Sequence, residues 1–239
     1  MLYHKRHSTC RFGAIHQKKV VDAKSMKTIS VTNSQYFNLQ HVLQLYTTGL
    51  SYTHEIESIN AGVEWHMWKK PIAVYNYIRN LPDSELILYC DATDVTLNAT
   101  PQNIVQLYEK HFENKVVFNA EWNPIKWKDK SKIAYKSHTL GKHAPYINAG
   151  VFMGRVQALR PVLKQWISTF SSTEEFFSAG TSGCDQAPLI HCWNNHPELP
   201  ITIDSAEQLM VVAPRDFEKC AIHHHSYLPR PSHRVKIYN

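Results

Sequence analysis

The sequence has little glycine and lacks the glycine-rich loops that commonly bind phosphate. It contains 8 glycines in 239 residues, and no GxGxxG, GxxxxGKS or GxxxxGKT run occurs. Both kinds of loop hold phosphate through backbone N–H groups that glycine leaves accessible. A nucleotide bound by this chain must therefore have its phosphates held by other groups.

Cysteine pairs and long apolar runs are also missing. The 5 cysteines are odd in number and widely spaced, with no CxxC, which argues against a zinc knuckle and against a full disulfide framework. No stretch of 18 apolar residues appears, and the first residues contain no apolar signal region. We expect a soluble, unsecreted protein with reduced thiols, typical of the cytosol.

The charge balance is moderately positive. The chain has 26 Lys and Arg against 20 Asp and Glu, or +6 with histidine neutral, and this favours anionic ligands such as nucleic acid, a sugar nucleotide or a membrane surface. The basic residues concentrate in four segments, which a solvated face would also explain: His4–Arg11, Lys18–Lys27, Lys126–Lys136 and Arg230–Lys236.

The pattern predicts one α/β domain. Residues 1–26 are polar and basic and are expected to form an arm or lead-in, and residues 27–239 a single domain. Strands are predicted at Thr28–Thr32, Glu85–Cys90, Val116–Phe118 and Ala149–Gly154. Helices are predicted at Asn38–Leu50, Lys70–Asn80, Pro101–Phe112 (capped by Thr100), Arg160–Phe170 and Asp185–Asn195, the last with an acidic cap. This alternation indicates a sandwich around a mostly parallel sheet. The aperiodic segment Trp122–Pro145 is predicted to be a long functional loop.

The most informative string is LILYCDATDVT at residues 86–96. A buried strand delivers Asp91 and Asp94 at its carboxyl end, where open α/β sheets bind ligands. Hard divalent cations take such oxygen ligands, and phosphate oxygens can complete the shell. The alternative is an aspartate that caps a turn, followed by another in solvent.

Three further strings follow in a fixed order. An Asn148-Ala-Gly150 turn precedes an apolar strand, so backbone can approach a ligand there without an intervening side chain. Asp185-Gln186 stands at a predicted helix start. An Ile-His-His-His run at residues 222–225 is followed by Arg230-Pro231.

In this order the motifs resemble those of metal-dependent GT-A glycosyltransferases. The Asp-x-x-Asp, the Asn-x-Gly strand, the Asp-Gln pair and the late Ile-His are similar to the glycosyltransferase domain of procollagen lysyl hydroxylases. Residues Val117–Glu121 are similar to a Val-Phe-x-Ala-Asp/Glu segment of that branch. Glycogenin-like transferases share the Asn-Ala-Gly-Val strand, the Asp-Gln pair and a late His followed by Lys-Pro. The resemblance implies the Rossmann-like GT-A fold, an α/β/α sandwich around a mostly parallel central sheet.

The resemblance also implies a metal site. Asp91, Asp94 and either His223 or His224 would coordinate Mn²⁺ or Mg²⁺, which bridges the diphosphate of a nucleotide-sugar. Alignment of the Ile-His step favours His223, whereas the spacing to Arg230-Pro231 favours His224. Arg230 would contact the diphosphate as a fork where the glycogenin-like motif has a lysine.

The remaining implied roles concern the donor and the acceptor. The donor would be a UDP-sugar that carries a hexose or a pentose, with a galactose-type sugar favoured. It would contact Thr32, Asn33, Lys70, Asn148, Gly150, Gln186 and Arg230. For Lys70 and its neighbour Lys69 a solvated pair is the alternative. Asp185 would be the catalytic carboxylate near the transferred sugar, with inversion or retention left open. Trp122 and Trp127 would stack on a glycan or glycoprotein acceptor, unless they pack in the core or at an interface.

Two other functions are compatible with parts of the sequence. A basic nucleic-acid-binding module would use the Arg and Lys clusters, and a metal-dependent phosphoesterase would use the Asp and His groups. The sequence favours neither, because it carries no nucleic-acid-binding motif and too few clustered acids for two metals. A single glycosylation acceptor, Asn98-Ala-Thr100, follows Asp94 closely. A glycan there would crowd the site, so we expect the cytoplasm of a bacterial or virus-infected cell rather than a secretory lumen.

Overall fold

A computed structural model describes residues 26–32, 55–62, 65–92, 94–121, 146–179, 183–212 and 221–224. The predicted N-terminal arm (except Met26), the predicted helix Asn38–Leu50 and the predicted loop Trp122–Pro145 lie outside these residues. The elements, in chain order, are β1 (Met26–Thr32), β2 (Ile56–Asn60), α1 (Lys69–Ile78), β3 (Leu86–Cys90), β4 (Val95–Leu97), α2 (Pro101–His111), β5 (Val116–Glu121), β6 (Tyr146–Arg155), α3 (Val156–Ile167), α4 (Thr173–Ser178), α5 (Gln186–Asn195), β7 (Ile201–Ile203), β8 (Met210–Val212) and β9 (Ile222–His224).

The described strands form two sheets. The larger has the order β2-β1-β3-β6-β5-β7, and the smaller has the order β4-β9-β8. In the larger sheet β1 pairs in parallel with β2 and β3, and β5 with β7, while β6 runs antiparallel to both β3 and β5. The predicted α/β fold with a mostly parallel sheet is therefore confirmed.

Strand alternation divides the core between the two faces of the larger sheet. On β3, Ile87 and Tyr89 pack with α1, α3, α4 and α5. Leu86, Leu88 and Cys90 face the other way and pack with α2 and the smaller sheet. All five side chains are buried. Because β3 is covered on both faces, it is apolar without a break.

Helix α2 begins as predicted. Thr100 accepts a hydrogen bond from the backbone N–H of Asn103 at 3.1 Å, and Pro101 occupies the first helical turn, where a missing N–H costs nothing. The predicted strands β1 and β3 and the helix α1 are confirmed within two residues at each end. Strands β5 and β6 are longer than predicted.

The predicted start of α3 at Arg160 is wrong, because the helix begins directly after β6, at Val156. The N–H groups of Val156 and Gln157 donate to the carbonyls of Glu85 and Asp83. These acceptors satisfy the exposed donors of the first turn. Pro161 consequently lies inside the helix and not at its first turn.

Helix α5 begins after an acidic residue, as predicted. Asp185 stands at the N-cap position, but its side chain makes no capping hydrogen bond. Its carboxylate instead contacts the ammonium group of Lys70. An ion pair with a buried ammonium replaces the usual bond from the helix N–H groups.

Candidate functional site

The smaller sheet brings Asp94 and His224 together. Strands β4 and β9 are antiparallel, with Val95 opposite His224, so the residue before β4 lies beside the last residue of β9. His224 Nε2 is 3.5 Å from Asp94 Oδ2. The His224 ring is buried, with 3% of its surface exposed.

Asp91 completes a group of three ligand atoms. Asp91, Asp94 and His224 each offer one oxygen or nitrogen atom, and these atoms lie within 4.8 Å of one another. Among the described residues it is the one such group of three or more His, Cys, Asp or Glu side chains. The side chain of His223 lies outside the described atoms, so the geometry concerns His224 alone.

Strand β6 contains a bulge next to the group formed by Asp91, Asp94 and His224. Phe118 of β5 is opposite Phe152, but the next residue, Asn119, is opposite Asn148. The three residues between them on β6 therefore have no partners in the β5 register. One of them, Gly150, accepts a hydrogen bond from the Asp91 N–H at 2.8 Å, which ties the bulge to the end of β3.

Gly150 has no side chain, and this leaves room for the ring of His224. A Cβ atom placed on Gly150 would lie 2.0 Å from His224 Cε1 and 2.6 Å from His224 Nε2. The sequence predicted that backbone meets a ligand at this glycine. In the structure the space above Gly150 is filled by the imidazole ring of His224, the last residue of β9.

Lys70 links Asp91 to Asp185. Its Nζ is 2.9 Å from Asp91 Oδ1 and 2.8 Å from Asp185 Oδ2, and it donates to the carbonyl of Ala149 at 3.5 Å. With 4% of its surface exposed, Lys70 is not a solvated lysine, and that alternative is wrong. Burial acts to lower the pKa of Lys70, but Asp185 and Asp91 outweigh it and raise the pKa above its usual value.

Tyr89 and Trp166 support the two carboxylates. The Tyr89 hydroxyl donates to Asp91 Oδ1 at 2.8 Å, and Lys70 Nζ lies 5.5 Å from the centre of the Tyr89 ring. Trp166 Nε1 donates to the backbone carbonyl of Asp185 at 3.0 Å. Both aromatic residues are buried, so the main core fixes the position of these groups.

Asn148 and Gln186 hold the bulge from its other side. Asn148 Oδ1 accepts from the Gly150 N–H at 2.7 Å, and Asn148 Nδ2 donates to Glu121 Oε2 at 3.1 Å. Gln186 Oε1 accepts from the Ala149 N–H at 3.4 Å. The structure therefore gathers Asn148, Gly150, Gln186, Asp185 and Lys70 around one segment of β6.

The other predicted site residues divide into two groups. Thr32 is buried at the carboxyl end of β1, with its Oγ1 3.0 Å from Ser58 Oγ. Asn33, Trp122, Trp127 and Arg230 lie outside the described residues. Their predicted roles, like those of the residues above, stay predictions.

Sequence reasoning missed Tyr89, Glu121 and Trp166. Tyr89 is the one side chain with a hydroxyl in an otherwise apolar strand, which is a usable signal. Glu121 closes the segment that resembles the lysyl hydroxylase branch, and an acid in a strand that is buried throughout needs a partner. Trp166 has no local signal, because its bond to Asp185 depends on how α3 packs.

Comparisons with known proteins agree with this geometry. A family model described as the PLOD GT domain matches residues 62–178. The multifunctional procollagen lysine hydroxylase and glycosyltransferase of Caenorhabditis elegans is 24% identical over 158 residues, which are 61% of this chain and 21% of that protein. The chain thus spans about a fifth of the length of the curated relative it matches.

Two solved structures show the fold. The galactosyltransferase LgtC, in complex with donor and acceptor sugar analogs, matches with a TM-score of 0.50 at 13% identity, over 88% of this chain and 90% of that one. Mouse xyloside xylosyltransferase 1, apo form, matches with a TM-score of 0.51 at 10% identity, over 84% of this chain and 98% of that one.

Two findings together indicate the class: the chain has the GT-A fold, and its residues 62–178 match the model of a glycosyltransferase domain. Within that class it is similar to the glycosyltransferase domain of procollagen lysyl hydroxylases. The resemblance to GT-A glycosyltransferases that the motifs indicated is confirmed. No helix among the described residues combines the length and the apolar character that a membrane crossing requires.

Proposed function

We propose that this chain transfers a sugar from a UDP-sugar to a hydroxyl group of a glycan or glycoprotein, with a divalent cation, Mn²⁺ or Mg²⁺, held by Asp91, Asp94 and His224. The observation that carries the proposal is the convergence of these three ligand atoms within 4.8 Å at the carboxyl end of a central strand. In open α/β sheets that end is where ligands bind.

The residues present fit a divalent cation. Two carboxylates and an imidazole are a donor set that Mn²⁺ accepts. The Nδ1 atom of the buried His224 has no hydrogen-bond partner, and Gly150 leaves the room that the ring needs. When bound, the cation neutralises the charge that develops on the departing nucleoside diphosphate.

The chain's own residues would divide the remaining work. Asn148, Gly150 and Gln186, which are joined by hydrogen bonds around the bulge, are proposed to orient the donor sugar. Asp185 is proposed to accept the proton of the acceptor hydroxyl if the reaction inverts, or to hold the hydroxyls of the sugar if it retains.

The outer parts of the substrates are assigned on the motif resemblance alone. Thr32 and Asn33 would contact the nucleoside and Arg230 the diphosphate, while Trp122 and Trp127 would contact the acceptor. A galactose-type hexose or a pentose is the proposed donor sugar. The two structural neighbours are a galactosyltransferase and a xylosyltransferase, which supports that range.

A hydrolysis screen tests the proposal. Purified chain is incubated with Mn²⁺ and a panel of UDP-, GDP- and dTDP-sugars, and release of the nucleoside diphosphate is measured. We expect one UDP-sugar to stand clear, with EDTA abolishing the release. Asp94→Asn should lower the rate by about a hundredfold, since it removes a charged ligand at the developing charge.

The matched control is Asp83→Asn, which removes the same charge from an exposed ion pair with Arg160. Its rate should equal that of the wild type. No release from any donor, or release that EDTA leaves unchanged, would contradict the proposal. Release of phosphate from simple phosphate esters would instead indicate a phosphoesterase.

A further inference from the structure

A buried ammonium group lies between the metal group and the candidate catalytic carboxylate. Three oxygen atoms surround Lys70 Nζ: Asp185 Oδ2 at 2.8 Å, Asp91 Oδ1 at 2.9 Å and the carbonyl of Ala149 at 3.5 Å. Lys70 is therefore engaged through carboxylates on both of its sides. One of them, Asp91, is also a member of the three-residue metal group.

The first turn of α1 is an unfavourable place for the cationic side chain of Lys70 unless Asp91 and Asp185 require a positive charge there. Lys70 is the second residue of α1, and the partial positive charge at a helix N-terminus disfavours a cation in the first turn. Burying an ion pair also contributes little net stability compared with apolar packing. The fold alone thus gives little reason for a lysine at this point.

The negative charge of the site explains the presence of Lys70 better than the fold does. Asp91, Asp94 and Asp185 bring three negative charges to the site, and Lys70 returns one positive charge between two of them. A cation bound at Asp91 must share that carboxylate with Lys70, and two like charges a few ångströms apart repel. Lys70 therefore opposes cation binding at the same time as it neutralises Asp185.

We propose that Lys70 is a positioning residue that sets the cation affinity of the Asp91, Asp94 and His224 group, by holding Asp91 and by tying it to Asp185. The inference rests on the metal group of the proposed function. It assigns Lys70 an effect through two carboxylates, which differs from a direct contact with the donor.

The experiment measures Mn²⁺ binding to the full chain without donor, by electron paramagnetic resonance of free Mn²⁺. Lys70→Met keeps most of the buried stem and removes the charge, and we expect its Kd for Mn²⁺ to fall about tenfold. Asp185→Asn removes a negative charge and leaves Lys70 on Asp91 alone, so its Kd should rise about tenfold. Lys69→Met, at the more exposed neighbouring lysine, should stay within about twofold of the wild type.

The opposite signs separate this role from a structural one, because general loosening of the site would weaken Mn²⁺ binding in both variants. If the wild type binds Mn²⁺ and Lys70→Met has an unchanged or raised Kd, the inference about Lys70 is overturned while the proposed metal group stands. If Lys70→Met does not fold, Lys70→Gln takes its place with the same expected fall in Kd, and an unchanged or raised Kd there overturns the inference. A wild-type chain that binds no Mn²⁺ would overturn the metal group itself.

Discussion

The two halves of the site are held in different ways. The carboxylate half, Lys70, Asp91 and Asp185, is closed by two ion pairs below 3 Å. The imidazole half, Asp94 and His224, has a nitrogen–oxygen separation of 3.5 Å and an unpartnered His224 Nδ1. In the first half one positive charge offsets one of two negative charges, whereas the second half offers a carboxylate and an unpartnered imidazole nitrogen to an added cation.

The supporting structure differs in the same sense. The carboxylate half rests on β3, β6 and the core around Trp166. The imidazole half rests on strands of three residues each. The loop before β8 is held by Asp204, whose buried carboxylate accepts from the N–H groups of Gln208, Leu209 and Met210. The carboxylate half is thus supported by the main core, whereas the imidazole half is supported by short strands and one loop.

The largest effect on stability should come from the core beneath the carboxylate half. Trp166→Ala removes a fully buried indole that packs edge-on against Phe118 and Phe152 and donates to Asp185. We expect the free energy of unfolding to fall by about 3–5 kcal/mol, measured by denaturation in urea.

Trp166→Phe is the control, since it keeps one aromatic ring but loses the N–H donor and part of the ring system. It should lose about 1–2 kcal/mol, mainly for the unpaired carbonyl of Asp185 and the smaller ring. A loss below about 1 kcal/mol in Trp166→Ala would be too small for a fully buried tryptophan. That result would mean that the main core does not support the carboxylate half, and that the two halves of the site do not differ in their support.

A smaller loss of stability, with a selective loss of metal response, should come from Gly150→Ala. The new methyl group would displace the His224 ring, at a cost of about 1–3 kcal/mol. Wild-type chain at a Mn²⁺ concentration of about 100 Kd should gain about 2.7 kcal/mol, and the variant should gain almost nothing. Thermal unfolding with and without Mn²⁺ measures both effects.

Gly154→Ala is the matched control on the same strand. Its methyl group would press on the Val116 side chain at 3.1 Å and on backbone at 3.3 Å, away from the site. It should cost stability but keep the gain from Mn²⁺. If Gly150→Ala kept that gain as well, His224 would not be a ligand.

The parts that sequence predicted are those with local causes. Strand β3 is apolar throughout because both of its faces are covered, and α2 carries its cap and proline at the expected positions. Asp91 was placed correctly at a strand end because a short polar string follows that strand directly. Helix α4 was missed although Ser172 and Glu175 have the spacing of a capping box. Ser172 Oγ accepts from the Glu175 N–H, and the Glu175 carboxylate accepts from the N–H of Ser171.

The parts that sequence could not predict depend on contacts between distant segments. Strands of three residues, such as β4 and β9, carry too short a pattern to recognise. Nothing near Lys70 in the sequence shows that it is buried, because its partners Asp91 and Asp185 come from β3 and from the start of α5. The contact of Gly150 with His224 similarly joins residues of β6 and β9, which are far apart in the sequence.

The smallest effect concerns a thiol beside the carboxylate half. Burial, and then the nearby Asp185 carboxylate, raise the pKa of Cys184 to about 11. Because the thiolate is the reactive form, alkylation by iodoacetamide at neutral pH should be roughly a hundredfold slower than for an exposed cysteine. The rate should rise with pH until it approaches that pKa, as peptide mapping by mass spectrometry can follow for this one residue. Since burial is the larger cause, Asp185→Asn should change the rate only slightly. Labelling of Cys184 as fast as a free thiol would mean that water reaches the carboxylate half.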